Sequence, residues 1–435
     1  MRKYPFSVFS DSLSGEKYTE LHHPSGVTVY LYPKKLTTSY AMFTTRYGSL
    51  ERTFRAYNGE VVTVPDGVAH FLEHKLFEEE DGSDVFERFA SLGASANAFT
   101  SNDMTTYLFS TTGTVYEPLG VLLSFVTHPF FTEENVQKEM GIIGQEIDMY
   151  LDRPTTRLFY ATLEALYKEH GVRVNIAGTK ETISQITPEV LYSAYRTFYH
   201  PSNMILTVVG DIDEDKVMDV VDEILGTEKR EPLKIECVYP AEGEDVAAHR
   251  TELSMQIAKP MLAFAFKDMT LLSTPMEKQK HAYTVDILLR LLFSRSAPFY
   301  NALYARGLIT DSFSAMYEWM DSCAHMIAIG ESDDPETVFS EIEKLLLDIP
   351  EEMLKEEDFL RVKKAMYAEN IRSLDSTEEI AYNLTEAALR GLSLWDSGEL
   401  IRQITHSDVL ALAKEYFKNK QFVQAVIYPT KNNGD

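Results

Sequence analysis

The chain has 435 residues, with 67 acidic side chains against 41 Lys and Arg, for a formal net charge of −26. That balance argues against nucleic acid, which needs a basic face, and against an anionic membrane surface, while it permits a cationic peptide. The length allows two domains or more, and 44% hydrophobic residues suffice for sizeable cores. No apolar run approaches a membrane span, and the first residues lack the apolar centre of a signal peptide. Cys237 and Cys323 have no metal-ligand spacing and fit reduced thiols. The expected location is cytoplasmic, with no nucleic-acid or membrane partner.

Residues 1–16 read as an irregular lead. Tyr18–Leu31 alternates around a Pro-Ser-Gly turn and predicts a hairpin, and Tyr40–Gly48 predicts the next strand. Pro65–Glu78 then holds His70, Glu73 and His74 in the order H-x-x-E-H. Pro65, Asp66 and Gly67 predict a turn and a helix start. On that helix His70 and His74 share a face. Two imidazoles so placed reach one zinc ion at about 2.0–2.1 Å. Glu73 lies beside the same face, free to take a proton from water, which is the inverted order of the common zinc-protease motif. At this composition chance supplies roughly 0.04 such matches per chain, so the motif is informative, but two histidines do not complete a site.

Phe86–Leu92 predicts a short helix broken at Gly93, and Gly93–Ser110 predicts two strands turning at Ser101-Asn102-Asp103. An edge strand near a metal can hold an extended peptide by main-chain pairing. After a helix over Tyr116–Thr127 comes Phe131–Tyr150, a helix capped by Thr132 and ended by Asp152-Arg153-Pro154. Its Glu139 and Glu146 are two turns apart and share a face. Glu146 would complete a His₂Glu set with a fourth position left for water, and Glu139 would orient one ligand from behind. Taken alone, the same pair reads more readily as a solvated helix face.

Further on, Leu158–Tyr167 reads as core and His170 as a surface histidine. Pro188–Tyr199 predicts a helix, Met204–Gly210 a buried strand and Glu214–Leu225 an amphipathic helix. Gly226–His249, charged and proline-bearing, is the linker candidate. The rest repeats the plan. Ile183–Thr187 is echoed by Ile401–Thr405, and the pairs Val190/Val409 and Phe198/Phe417 are both 219 positions apart. A period that long points to duplicated domains. Met261–Phe266 is expected to open the second sheet. Lys278–Phe293 follows as a helix at the place of the first half's zinc helix, with His281 but no H-x-x-E-H. Helices are also predicted over Pro298–Gly307, Glu341–Leu347 and Glu356–Leu374, and Phe422–Pro429 closes the second half as a strand.

Four stretches resemble the pitrilysin/insulinase peptidases, the family of mitochondrial processing peptidase: PDGVAHFLEH, GASANAFTSNDMTTYLFS, QKEMGIIGQEIDMYLDRP and FYHPSNMILTVVGDID. The chain looks most like the small bacterial zinc-bearing members with two homologous halves. The strong likeness covers roughly the first half, and the second follows only in layout. The resemblance implies an α+β fold of two homologous domains, each a mostly antiparallel sheet packed against helices, together forming half of a peptide-enclosing chamber. The domains would be 1–228 with the metal and 249–435 without it, joined by 229–248. It implies a zinc endopeptidase acting on oligopeptides or unfolded segments, with one Zn²⁺ per chain. The ligands would be His70, His74 and Glu146, the base Glu73, the supporting carboxylate Glu139, and the substrate-contacting positions Asn97 and Ala98.

One departure stands out. The family's second half carries an Arg and, shortly after, a Tyr that bind substrate. Here Tyr304 stands at the Arg place, Thr310 or Asp311 at the Tyr place, and Arg306 falls on another helical face. The implied assembly is a dimer with a related subunit supplying that pair, a heterodimer. Two alternatives stay open: a non-catalytic scaffold subunit of the same fold that binds peptide or a partner, and a zinc enzyme acting on something other than peptides.

Overall fold

A computed structural model describes residues 3–270, 272–418 and 420–430. The chain begins with strands β1 (Phe6–Ser10), β2 (Lys17–His22), β3 (Thr28–Pro33) and β4 (Ser39–Thr45), then a small hairpin, β5 (Thr53–Arg55) and β6 (Val61–Thr63). Helices α1 (Val68–Lys75) and α2 (Val85–Ser91) lead into β7 (Ala94–Thr100) and β8 (Thr105–Thr111). Five helices follow: α3 (Tyr116–Thr127), α4 (Glu133–Leu151), α5 (Pro154–Leu166), α6 (Lys180–Ile183) and α7 (Pro188–Phe198). Strand β9 (Met204–Gly210) and helix α8 (Glu214–Leu225) end the first half.

The second half starts with β10 (Arg250–Met255) and β11 (Met261–Lys267), then α9 (Pro275–Phe293) and α10 (Pro298–Ala305). The strands β12 (Ser314–Trp319) and β13 (Ala324–Glu331) come next. Helices α11 (Pro335–Leu347), α12 (Glu356–Arg372), α13 (Thr377–Leu389), α14 (Asp396–Gln403) and α15 (His406–Glu415) precede the last strand, β14 (Phe422–Pro429). No helix among the described residues is long and apolar enough to cross a membrane.

The first sheet has the order β1-β2-β3-β9-β4-β8-β7 and the second β10-β14-β11-β13-β12. Each is antiparallel apart from one parallel pair, β3 with β9 and β10 with β14. From β3 onward the two orders correspond strand for strand, and the parallel pair falls at the same place in both. The helix caps correspond as well. Thr187 accepts from the Val190 N–H at the start of α7, and Thr405 from the Asp408 N–H at the start of α15. Phe198, the last residue of α7, and Phe417, just beyond the end of α15, are both buried. The halves are homologous domains with mostly antiparallel sheets against helices, as the echo predicts.

Contacts group Met1–Ile147, Asn175–Tyr239 and Ile371–Trp395 into one compact unit, and Asp148–Val174, Pro240–Asn370 and Asp396–Asp435 into another. Each unit thus takes a helix from the far half of the sequence. In the first, α13 lies on β4 and β9. Its Ile380, Ala381, Leu384 and Ala388 pack on Tyr18, Tyr40, Met42 and Ile205, and Thr385 bonds Thr207 at 2.7 Å. In the second, α5 lies on β11 and β14.

Several expectations need correction. The lead is not irregular throughout, because Phe6–Ser10 pairs with β2 as an edge strand; residues 1–2 of it lie outside the described residues. The second sheet opens at β10, a polar strand whose partner β14 comes at the end of the chain. His170 is buried: Nδ1 accepts from the Val172 N–H at 3.2 Å and Nε2 meets Ser322 Oγ at 3.0 Å. The linker candidate is tied down, with Val238 N–H bonded to the Thr53 carbonyl at 2.7 Å and Lys267 Nζ donating to Glu242 at 2.8 Å.

Candidate metal centre and active site

Helix α1 starts where a side chain could not. Gly67 has φ 96°, and a Cβ there would lie 2.6 Å from the Ala177 carbonyl oxygen. Only glycine combines that backbone with that approach. Arg52 Nε meets Asp66 Oδ1 at 2.6 Å and secures the turn. Val68, Ala69, Phe71 and Leu72 bury the inner side of the helix, and Tyr107 OH donates to the Leu72 carbonyl at 3.3 Å. The same helical spacing leaves His70, Glu73 and His74 on the side toward α4. On α4, Val136, Glu139, Ile143 and Ile147 form the buried stripe, with Glu146 at its border.

The two helices bring the expected side chains together. His70 Nε2 lies 3.6 Å and His74 Nε2 3.5 Å from the same oxygen, Glu146 Oε2. One donor atom from each of the three lies within 4.8 Å of the others. Donors at the corners of a tetrahedron with 2.0–2.1 Å bonds sit about 3.3 Å apart, so this set fits a zinc ion with little movement. His74 Nδ1 donates to Glu139 Oε1 at 2.9 Å, which leaves the lone pair on Nε2, the nitrogen facing Glu146. His70 Nδ1 is buried without a hydrogen-bond partner. Among the described residues this is the group of His, Cys, Asp and Glu suited to a metal.

The electrostatics favour a neutral ligand beside a charged support. Burial, then the neighbouring His74, pushes His70 down to about 4, so its imidazole is neutral near neutral pH. Burial opposes charge on His74 too, but the Glu139 hydrogen bond and the surrounding carboxylates lift it above the ordinary value. Glu139 stays below its usual range despite burial because it accepts that bond. Burial raises Glu73, while a hydrogen bond from Thr100 and the nearness of His74 pull the other way.

Asn97 and Ala98 lie on β7, the terminal strand of its sheet, and Asn97 Oδ1 accepts from the Ala98 N–H at 2.9 Å. Adjacent strand residues point to opposite faces. Phe99 faces Tyr382 of α13, with ring centroids 6.2 Å apart, whereas Thr100 Oγ1 donates to Glu73 Oε2 at 2.6 Å. The sequence reading passed over Thr100. Its available signal was the alternation that puts it on one face with Ala96 and Ala98, beside the zinc helix. At the altered positions of the second half, Tyr304 is exposed and stacked on Tyr300, and Arg306 pairs with Glu341 at 2.8 Å.

Comparison with known proteins covers both halves. The family model described as Insulinase (Peptidase family M16) matches residues 64–180, a range that contains His70, Glu73, His74, Glu139 and Glu146. The model described as Peptidase M16 inactive domain matches residues 185–366. The uncharacterized zinc protease YmfH of Bacillus subtilis is 41% identical over 90% of this chain and 92% of its own length. An M16-like peptidase from Alicyclobacillus acidocaldarius superposes with a TM-score of 0.89 at 34% identity, covering 99% of each chain. A Helicobacter pylori protease shares the fold, with a TM-score of 0.81 at 18% identity over 95% of this chain and 100% of its own. With relatives matched along nearly the whole length and a family model lying across the site, the chain belongs to the insulinase peptidase family, M16.

Proposed function

We propose that this protein is a zinc-dependent endopeptidase that hydrolyses oligopeptides or unfolded peptide segments, holding one zinc ion through His70, His74 and Glu146. The observation that carries this reading is the approach of both Nε2 atoms to one oxygen of Glu146, with Glu73 on the same helix and Glu139 behind His74. Relatives named zinc proteases support it. The chemistry a bound zinc supplies is Lewis acidity, toward a water whose pKa falls to about 7 and toward the peptide carbonyl. Glu73 accepts the proton of the attacking water and delivers it to the leaving amine. Glu139 keeps His74 in the tautomer that ligates. Strand β7 offers its free edge, with Asn97 and Ala98, to an extended peptide backbone.

This reading requires a related subunit that supplies the missing Arg and Tyr and completes a peptide-enclosing chamber, in a cytoplasmic heterodimer. The test compares wild type with Glu73→Gln on a quenched fluorescent peptide library, with and without a co-expressed related subunit, with metal content measured alongside. The variant should keep its zinc and lose about 10²–10⁴-fold in rate. Equal turnover by both proteins would remove Glu73 from the role of base, and full activity of the purified chain alone would remove the partner.

A further inference from the structure

One hydroxyl reaches Glu73 directly. Thr100 ends β7, and its Oγ1 donates to Glu73 Oε2 at 2.6 Å. The hydroxyl sits in a rigid setting. Thr100 faces Thr105 at the last pair of the β7–β8 ladder, and Thr105 Oγ1 lies 3.5 Å from Thr100 Oγ1 while donating to the Tyr47 carbonyl at 2.8 Å. The turn beyond is closed by the Ser101 N–H on the Met104 carbonyl at 2.8 Å and by Ser49 Oγ on Asn102 at 2.9 Å. Strand β8 grips α1 as well, since Tyr107 OH donates to the carbonyl of Leu72, the residue before Glu73. One strand of this hairpin therefore holds the helix backbone and the other holds the carboxylate.

A glutamate carboxylate turns about a broad, two-fold terminal torsion, so helix and rotamer together do not fix the plane in which its oxygens lie. A hydrogen bond to one oxygen does. We propose that Thr100 is a positioning residue for the hydrolysis: its hydroxyl holds Glu73 Oε2 and so presents Oε1 to the attacking water. This rests on the peptidase reading above. It differs from a packing role because it needs the hydroxyl and not the branched shape.

Two substitutions in the full chain separate those roles. Thr100→Val keeps the branched side chain, which strands accept well, and removes the donor; Thr100→Ser keeps the donor. Assayed with its partner subunit where activity requires one, Thr100→Val should retain wild-type zinc content, melting temperature and KM, while kcat falls about 10²-fold. Thr100→Ser should recover most of that loss. Wild-type kcat in Thr100→Val, an equal loss in Thr100→Ser, or a change confined to KM would each overturn the proposal. Crystal structures of the zinc-loaded wild type and Thr100→Val supply a readout without turnover. The Glu73 carboxylate should be single in wild type and spread over several orientations in the variant, and an unchanged single orientation would overturn the proposal. A wild-type chain inactive on every peptide would end the peptidase reading, and Thr100 would still be judged on the orientation of Glu73.

Discussion

Glu139 shows how much one side chain behind a metal site can decide. It sits buried in the middle of α4, where an unpaired carboxylate would be costly, and His74 Nδ1 is its partner at 2.9 Å. If that bond orients a ligand, Glu139→Gln should leave the fold intact and weaken zinc binding by about 10–100-fold, measured by competition with a chelator of known affinity. Unchanged affinity would mean that the bond serves packing alone. Residues of this kind were readable from sequence where local periodicity does the work. Spacing of three and four puts His70, Glu73 and His74 on one face of a helix and spacing of seven puts Glu139 and Glu146 on one face of another, while the meeting of those two faces was implied only by the family resemblance. Thr100 was not readable in that way, because its link to Glu73 depends on how a strand end meets a helix 27 positions earlier in the chain.

At the scale of elements, the loop after β4 is fastened to the hairpin that carries Thr100. Ser49 N–H bonds the Ser101 carbonyl at 3.1 Å and Leu50 N–H the Asn102 carbonyl at 3.0 Å, and a Cβ on Gly48 would lie 2.4 Å from the Asn102 carbonyl carbon. Glu51 locks the loop from inside, accepting from the Gly48 N–H at 2.7 Å and from Tyr239 OH at 2.8 Å. Burial pushes its carboxyl up to about 7, against those two hydrogen bonds. A carboxyl raised on folding stabilises the native state fully below its unfolded value, about 4.3, and that contribution fades as pH rises through about 7. Glu51→Gln stays uncharged, so thermal unfolding across about pH 5 to pH 9 should show the wild type losing roughly 3 kcal/mol relative to the variant. Parallel curves would contradict this. The elements that sequence found, such as the β2–β3 hairpin, β4 and α1, are bounded by their own turn and cap residues. The ones it missed depend on distant partners: β10 pairs in parallel with β14, Arg250 opposite Gln424, and Leu253 and Met255 are its only apolar residues, too few for a strand signal of their own.

At the scale of the whole molecule, duplication was legible because the cap threonines Thr187 and Thr405 recur at an offset of 218 and the core aromatics Phe198 and Phe417 at 219, whereas the compact units were not. Helix α13 follows α12 in sequence yet covers β4 and β9, and nothing local in Thr377–Leu389 says which apolar surface it will bury. The second domain has turned the place of the metal helix to another use. On α9, His281 Nε2 donates to Asp268 Oδ2 at 2.7 Å; Tyr317 OH at 2.9 Å and Tyr416 OH share that oxygen, and Lys420 Nζ donates to Oδ1 at 3.1 Å. Those donors hold Asp268 well below the usual carboxylate range although it is buried. Such a saturated carboxylate organises its surroundings and has little capacity left for a metal, so the chemistry proposed here rests wholly on the first domain. The direct measurement is zinc content per chain, by plasma mass spectrometry after dialysis against a weak chelator, for the wild type beside Glu146→Gln. One zinc ion in the wild type and a large loss in the variant are the predicted result. A wild type that stays empty when zinc is supplied, or equal zinc in both proteins, would contradict it.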